Sequence, residues 1–505
     1  MAKPPQDQML GDQKAARRKF LAQVAATGAG AVAVMPLQAQ QESVQTPKRA
    51  VPPAAGSSIA EIVAQYATSI KYEDLPPDVV HMVKRVMIDT LGCAVGGYSA
   101  EPSQIAVKLA AGVSAVKPAT VLCSGTRTSP ELAVFANGTM IRYMDYNDAY
   151  VGAGGGHPSD TIAALLPTAE VTGASGRDLI LATVLAYEVY CKVADVFNFE
   201  ASGMDYATVG GFAGGVGASR LLGLTREQMV HAISLTVAGS AAVAQTRRGV
   251  LSNWKACSCA EASRNAVFAA QLAQAGMTGP AQVFEGPDGF FNMVKMKPFT
   301  LPKLGEPFGI MRSLTKRYAL GQYAQTVAQA ASEARPFFTN TDEIAEINLR
   351  VSSNSIRSMA ATPDKWRPRT RETADHSIPY ATGVVLMYGT IDEHYYDDEF
   401  LHDPRLLDLV GRVKVARSDE ADRLQREGNL CELEIVLKSG ARKTVRVEYH
   451  RGHFKNPMTN AEIDEKFRSL ARRQLSAQKT DALLRQLWAL DQMPKAGALL
   501  EMARI

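Results

Sequence analysis

Hydrophobic periodicity changes twice along this chain, and those two changes bound what it can fold into. From Ser57 to about residue 310, apolar residues recur at helical spacing. Ile59, Ile62, Val63, Tyr66 and Ile70 share one face behind a Ser58 and Glu61 capping-box pattern. A second helix follows Pro76-Pro77 through Val79, Val83, Val86 and Leu91. Further stretches, most of them Ala-rich, cover roughly 104–112, 130–145, 159–172, 178–196, 208–222, 226–245 and 257–275. Beyond about residue 310 the period drops to two: Ile347, Leu349 and Val351 alternate with polar residues, and so do Val413 and Val415. Leu433, Ile435 and Leu437 alternate, Lys438-Ser439-Gly440 supplies a turn, and Val445, Val447 and Tyr449 alternate again, which predicts a hairpin. After His450 the helical period returns over 460–467 and 479–490. The expected fold is mainly α with an inserted α+β domain. A large all-helical domain over 57–310 is followed by a smaller α+β lid domain over 311–455, and C-terminal helices over 456–505 rejoin the first. The cleft between the two domains is the natural place for a ligand.

Ahead of the fold, Arg17-Arg18-Lys19-Phe20-Leu21 precedes an uncharged stretch of Ala, Gly and Val that runs to Met35, and Leu37-Gln38-Ala39 offers a cleavage site. A positive flank, a short apolar region and a small residue at the cut are the layout of a secretory signal over residues 1–39. Its twin arginine resembles a Tat signal, so a periplasmic location is expected. The apolar stretch is too short for a membrane span. Residues 40–56, rich in Pro, Ala, Gln and Ser, read as a linker.

A formal net charge of only +4, with Lys and Arg scattered among Asp and Glu, leaves no basic stripe to neutralise phosphates, so nucleic acid is not an expected partner. The six cysteines, Cys93, Cys123, Cys191, Cys257, Cys259 and Cys431, are too few and dispersed for a disulfide scaffold and read as buried small apolar residues.

Three clusters carry chemistry. Arg142-Tyr-Met-Asp145-Tyr-Asn-Asp148 is followed by a Gly-rich connection and Gly156-His157-Pro-Ser159-Asp160. A helix beginning near Ser159 would aim its free N–H groups toward His157 and offer a seat for a carboxylate. Arg247-Arg248-Gly-Val-Leu-Ser252-Asn-Trp-Lys255 gathers cations and a hydroxyl before a small-residue helix. Ala374-Asp375-His376-Ser-Ile-Pro-Tyr380 places an acid and an imidazole beside a proline-fixed turn. There is no Gly-x-Ser-x-Gly elbow and no paired His and Glu spacing of a zinc site.

These runs, with Gly276-Met-Thr-Gly-Pro280, Phe284-Glu-Gly286, Arg451-Gly-His453, Asn456-Pro-Met-Thr459 and Glu465-Lys-Phe467, resemble the MmgE/PrpD family from about residue 57 to the C-terminus. Asp364-Lys-Trp-Arg-Pro368 and Asp375-His-Ser-Ile-Pro-Tyr380 look closer to its 2-methylcitrate dehydratase branch than to its cis-aconitate decarboxylase branch. The resemblance implies a homodimer, no metal or organic cofactor, and an active site between the helical and lid domains. It places the family's site aspartate at Asp145 or Asp148, the histidine at His157, and the lysines at Lys255 and Lys316. Two departures stand out: Asp205-Tyr206 stands where the dehydratase branch typically has Asp-His, and Tyr323-Ala-Gln325 where the family pattern has His-Ala-Gln.

The expected reaction is elimination of water from a β-hydroxy polycarboxylate. Lys255, Lys316 and Arg248 would clamp carboxylates, with Ser252 beside them. His157 would be the principal acid or base, with Asp145 or Asp148 orienting it, while Tyr206, Tyr323, His376 and Tyr380 line the pocket. The alternatives are a decarboxylase or isomerase on the same scaffold, or a non-catalytic periplasmic carboxylate-binding protein.

Overall fold

The computed structural model describes residues 57–505 apart from Val250 and Met296. The expected export signal, 1–39, and linker, 40–56, lie outside the described residues. Helices of eight residues or more are α1 Ile59–Ser69, α2 Pro77–Gly96, α3 Glu101–Ala111, α4 Pro130–Tyr143, α5 Ile162–Thr172, α6 Gly176–Val196, α7 Ala207–Leu221, α8 Arg226–Gly239 and α9 Trp254–Gln274. After the crossover come α10 Gln325–Ala334, α11 Ile378–Tyr388, α12 Pro404–Gly411, α13 Asn460–Ala471 and α14 Ala477–Trp488. Among the described residues no helix is long and apolar enough to cross a membrane.

The predicted start of α1 is present: the Ser58 side chain accepts from Glu61 N, and Glu61 reaches back to Ser58 N. Ser175 with Asp178, Thr225 with Gln228 and Thr459 with Glu462 cap α6, α8 and α13 in the same way. Small residues set the helix spacing. At Gly138 of α4, a Cβ would stand 2.8 Å from the Ala260 Cβ on α9 and 3.0 Å from the Ala163 Cβ on α5. One apolar core draws on residues from Ile59 to Ile310 and again from Met458 to Ala503, and a second on residues from Tyr318 to Val447. The C-terminal return is tight, because a Cβ at Gly92 of α2 would meet Phe467 of α13 at 3.2 Å.

The second core contains a four-stranded sheet of β1 Ile344–Val351, β2 Val413–Arg417, β3 Cys431–Leu437 and β4 Arg442–Val447, in the order β2-β1-β3-β4. β1 and β2 are parallel, and the other pairs are antiparallel. The predicted hairpin is β3–β4, with Leu433 opposite Val445 and Gly440 in the left-handed region at its turn (φ 88°). Helices α10 and α11 pack against the sheet and each other. All six cysteines are free and buried.

Two expectations are corrected. The helix expected over 226–245 stops at Gly239, because the following segment forms an isolated antiparallel bridge with residues 203–205: Asp205 N donates to Ala242 O at 2.9 Å and Ala244 N to Gly203 O at 3.0 Å. That exchange brings Arg247 beside Asp205 and Tyr206. The helix expected from 159 begins as a four-residue 3-10 turn, Pro158–Thr161.

If small side chains set the spacing of α4, α5 and α9, Gly138→Val should overpack their junction. Its urea-unfolding midpoint should fall by the equivalent of about 1–3 kcal/mol.

Candidate active site

Helix α4 carries Arg142 in its last turn, and the chain then bends so that Asp145 sits in the left-handed region (φ 49°). That turn buries the Asp145 carboxylate completely and surrounds it with cations. Arg142 Nη1 is 2.9 Å from Oδ1 and Lys255 Nζ is 3.2 Å from Oδ2; Lys316 Nζ also donates to Oδ1, and to the Asp145 carbonyl at 2.8 Å. Lys316 lies on the crossover between the two cores. Leu314 exchanges two 2.8 Å backbone hydrogen bonds with Ala149, and Thr315 N donates to Gly452 O at 2.8 Å. Lys466 of α13 fastens both loops from behind. Its Nζ donates to Tyr146 O at 2.8 Å and Lys316 O at 2.9 Å, and stands 2.6 Å from Asp89 Oδ1.

Lys255, in the first turn of α9, also contacts Asp375 Oδ1 at 2.5 Å. His376 Nδ1 is 2.8 Å from Asp375 Oδ1 and 3.2 Å from Asp145 Oδ2. Both neighbours only accept, so Nδ1 carries the proton. Nε2 has no hydrogen-bond partner among the described residues. His157 is held at both nitrogens: Nδ1 lies 2.5 Å from the Asp148 carbonyl, and Nε2 lies 3.1 Å from Arg142 Nη2. Arg142 Nε donates to the Tyr206 hydroxyl at 2.9 Å. The Arg247 guanidinium lies 4.3 Å from the Tyr206 ring centroid and pairs with Asp205 at 2.7 Å.

Burial alone would raise Asp145, but Arg142, Lys316 and Lys255 hold it well below the usual carboxylate range. Asp375 is likewise depressed, against its burial, by Lys255. Burial lowers Lys316 to about 8 despite Asp145. Burial and then Arg142 hold His157 well below its ordinary value, while burial and then Lys255 bring His376 to about 4. Both imidazoles are therefore neutral at neutral pH, in a centre where three cations face two carboxylates.

A cavity of about 300 Å³ opens onto this centre. Of the residues expected from sequence, Asp145, His157, Tyr206, Arg248, Tyr323 and His376 line it. Lys255 and Lys316 do not; they lie buried beneath, holding Asp145 and Asp375. Asp148 also stands behind the wall, where Oδ1 accepts from Ser159 N at 3.0 Å and Oδ2 from the Tyr187 hydroxyl at 2.8 Å. The backbone N–H expected to receive a substrate carboxylate is thus occupied by Asp148. Ser252 is exposed off the lining, its carbonyl accepting from Lys255 N at 3.0 Å. Tyr380 is a correction: it is buried in the second core, with its hydroxyl on Tyr395 O at 2.6 Å. Sequence reasoning passed over Arg142, Arg247 and Lys365 as lining groups, although all three lie inside the quoted motifs.

Asp145, Asp375 and His376 bring three ligand atoms within 4.8 Å of one another. The ammonium groups of Lys255 and Lys316 already neutralise those carboxylates, so a metal ion would have to displace them.

Residues 61–301 match the MmgE/PrpD N-terminal domain, and residues 318–490 match the MmgE/PrpD C-terminal domain. The chain is 27% identical over 435 residues to the 2-methylcitrate dehydratase of Cupriavidus necator, covering 79% of this chain and 87% of that protein. It is 26% identical over 464 residues to the cis-aconitate decarboxylase of Homo sapiens, covering 88% and 94%. A 2-methylcitrate dehydratase of Escherichia coli K12 is 26% identical over 349 residues, covering 63% and 70%.

The two aspartates should separate on mutation. Asp145→Asn removes the shared counter-charge and should lower turnover about a hundredfold or more, whereas Asp148→Asn should stay within about tenfold of wild type. Burial raises Asp148 to about 7, above the value of about 3.9 for an unfolded chain. Its folded state thus keeps a proton that the unfolded chain has lost, so its stability contribution is greatest at low pH and falls as pH rises from about 4 toward about 7. Denaturation at pH 5 and pH 7.5 should show wild type losing stability relative to Asp148→Asn across that interval.

Proposed function

Because the chain belongs to the MmgE/PrpD family, we propose that it is a hydro-lyase that eliminates water from a β-hydroxy polycarboxylate such as 2-methylcitrate or a relative. The observation that carries this reading is the pairing of a cation-rich cavity wall with two neutral imidazoles. Arg142, Arg247, Arg248 and Lys365 line the cavity together with His157 and His376. Removing a proton beside a carboxylate builds negative charge on that carboxylate, and fixed cations lower the energy of that state. The same step needs a neutral base at working pH, and burial among cations keeps both histidines in that form. Similarity to proteins named 2-methylcitrate dehydratase supports the reaction class.

Decarboxylation is the second reading, favoured by the likeness to a cis-aconitate decarboxylase over 88% of this chain. The two differ in product: dehydration leaves an alkene with every carboxylate retained, and decarboxylation releases carbon dioxide. A carboxylate-binding protein would instead show thermal stabilisation by ligand and no turnover.

Incubating the protein with 2-methylcitrate, citrate, isocitrate and malate should yield an alkene without carbon dioxide from at least one. His157→Gln and His376→Asn should each lower that rate about a hundredfold or more. Carbon dioxide release, or stabilisation without product, would replace the dehydratase reading. Periplasmic export and homodimer assembly are part of the same proposal. Replacing Arg17 and Arg18 with Lys should retain the protein in the cytoplasm, as read by cell fractionation, and light scattering of the mature chain should give twice the monomer mass.

A further inference from the structure

At the cavity, the Tyr206 hydroxyl proton and His376 Nε2 are proton-moving functions that no described residue engages. Arg142 has no acceptor, so its 2.9 Å contact through Nε fixes the Tyr206 oxygen as acceptor and excludes the phenolic proton from that side. Tyr206 lines the cavity, and no described group accepts that proton, which leaves the cavity as its open direction. The ring packs directly on the Gly156 backbone: a Cβ there would stand 2.6 and 2.7 Å from its Cγ and Cδ2, and only glycine readily adopts the φ of 137° at that position. The His157 ring stands edge-on at 5.3 Å between centroids.

His376 has the complementary geometry. Its Nδ1–H donates to Asp375 at 2.8 Å, with Asp145 Oδ2 3.2 Å away, which orients the ring and stabilises the imidazolium that forms when Nε2 takes a proton. His157, by contrast, receives Arg142 at Nε2, so it holds the guanidinium that in turn holds Tyr206.

We propose that, within the dehydration argued above and resting on it, Tyr206 is the general acid that protonates the departing hydroxyl and His376 is the base that takes the carbon-bound proton. The steps balance. Nε2 of His376 removes the proton beside a substrate carboxylate, the carbon–carbon double bond forms, and the neighbouring carbon–oxygen bond breaks. The leaving hydroxyl takes the Tyr206 proton and departs as water. The imidazolium and phenolate return to their starting forms by passing one proton through solvent. Burial holds the resting phenol well above its ordinary value while Arg142 and Arg247 pull against that rise, so the proton stays in place until the leaving oxygen gains charge. The phenolate then keeps the Arg142 hydrogen bond and lies under Arg247.

The test is run in D2O with whichever acid of the four the wild-type protein dehydrates fastest. Tyr206→Phe should lose water elimination about a hundredfold or more while still exchanging the carbon-bound hydrogen for deuterium, because the base remains. His376→Asn should lose both. Tyr206→His, which restores a proton donor, should regain part of the dehydration. The assignment is overturned if Tyr206→Phe dehydrates within about tenfold of wild type, or if His376→Asn still exchanges. It is also overturned if Tyr206→Phe loses exchange and Tyr206→His recovers neither reaction. If wild type eliminates water from none of the four acids, the hydro-lyase reading falls and takes this assignment with it; the other outcomes sink the assignment alone.

Discussion

Asp145 is a fully buried carboxylate, and the geometry of the site follows from how its charge is met. A carboxylate taken out of water loses several kcal/mol of solvation, which is recovered only where cations and hydrogen bonds reach both oxygens. Here they come from separate parts of the chain: Arg142 from the end of α4, Lys255 from the start of α9, Lys316 from the crossover and His376 from the residues before α11. Asp145 is thereby the point where the helical core and the second core are pinned together. A network of this kind contributes little to net stability and much to geometry, because removing one member leaves another charge unpaired. Burial first, and the same cations second, hold both imidazoles neutral, so the pinning charges also contribute to the proton chemistry.

That pinning explains why the chain returns to its first core after the second. The loops bearing Asp145 and Lys316 are irregular, and their carbonyls need donors. Lys466 supplies them for Tyr146 and Lys316 at once, with its charge balanced by the buried Asp89 of α2. Phe467, the next residue, packs against Gly92 on that same helix. The charged anchor and the apolar contact therefore arrive together on α13.

The parts of the fold with strong local signals were legible in the sequence. Alternation at Leu433, Ile435 and Leu437 specified a strand because one face is buried, and Ser58 with Glu61 marked a helix start because capping is a short-range interaction. The errors fall where long-range pairing overrides local preference. Helical spacing runs past Gly239, yet the 242–244 backbone pairs with residues 203–205, which no local pattern encodes. The site was legible as motifs and less so as roles. Asp145 and Asp148 are three residues apart and chemically identical in sequence, but one faces three cations and the other faces Ser159 N and the Tyr187 hydroxyl. Tyr380 shares a motif with His376, yet one residue lies in the sheet core and the other lines the cavity. Which side of a wall a residue occupies depends on packing between distant elements.

The resemblance to the family left Tyr206 as an anomaly, a tyrosine where histidine is expected. Its surroundings give the substitution a physical sense. A histidine donates its proton from a cation, which Arg142 and Arg247 make less favourable, so it would be the weaker donor here. A tyrosine donates from a neutral group and becomes an anion, the state two guanidinium groups favour. Arg142 at 2.9 Å from the hydroxyl and Arg247 at 4.3 Å from the ring centroid therefore fit a phenol better than an imidazole. Arg247 reaches that place because the chain leaves α8 early, at Gly239, and because Asp205 balances its charge. The departure from the family pattern and the departure from the expected helix are linked through one side chain, which is why neither could be interpreted from its own stretch of sequence.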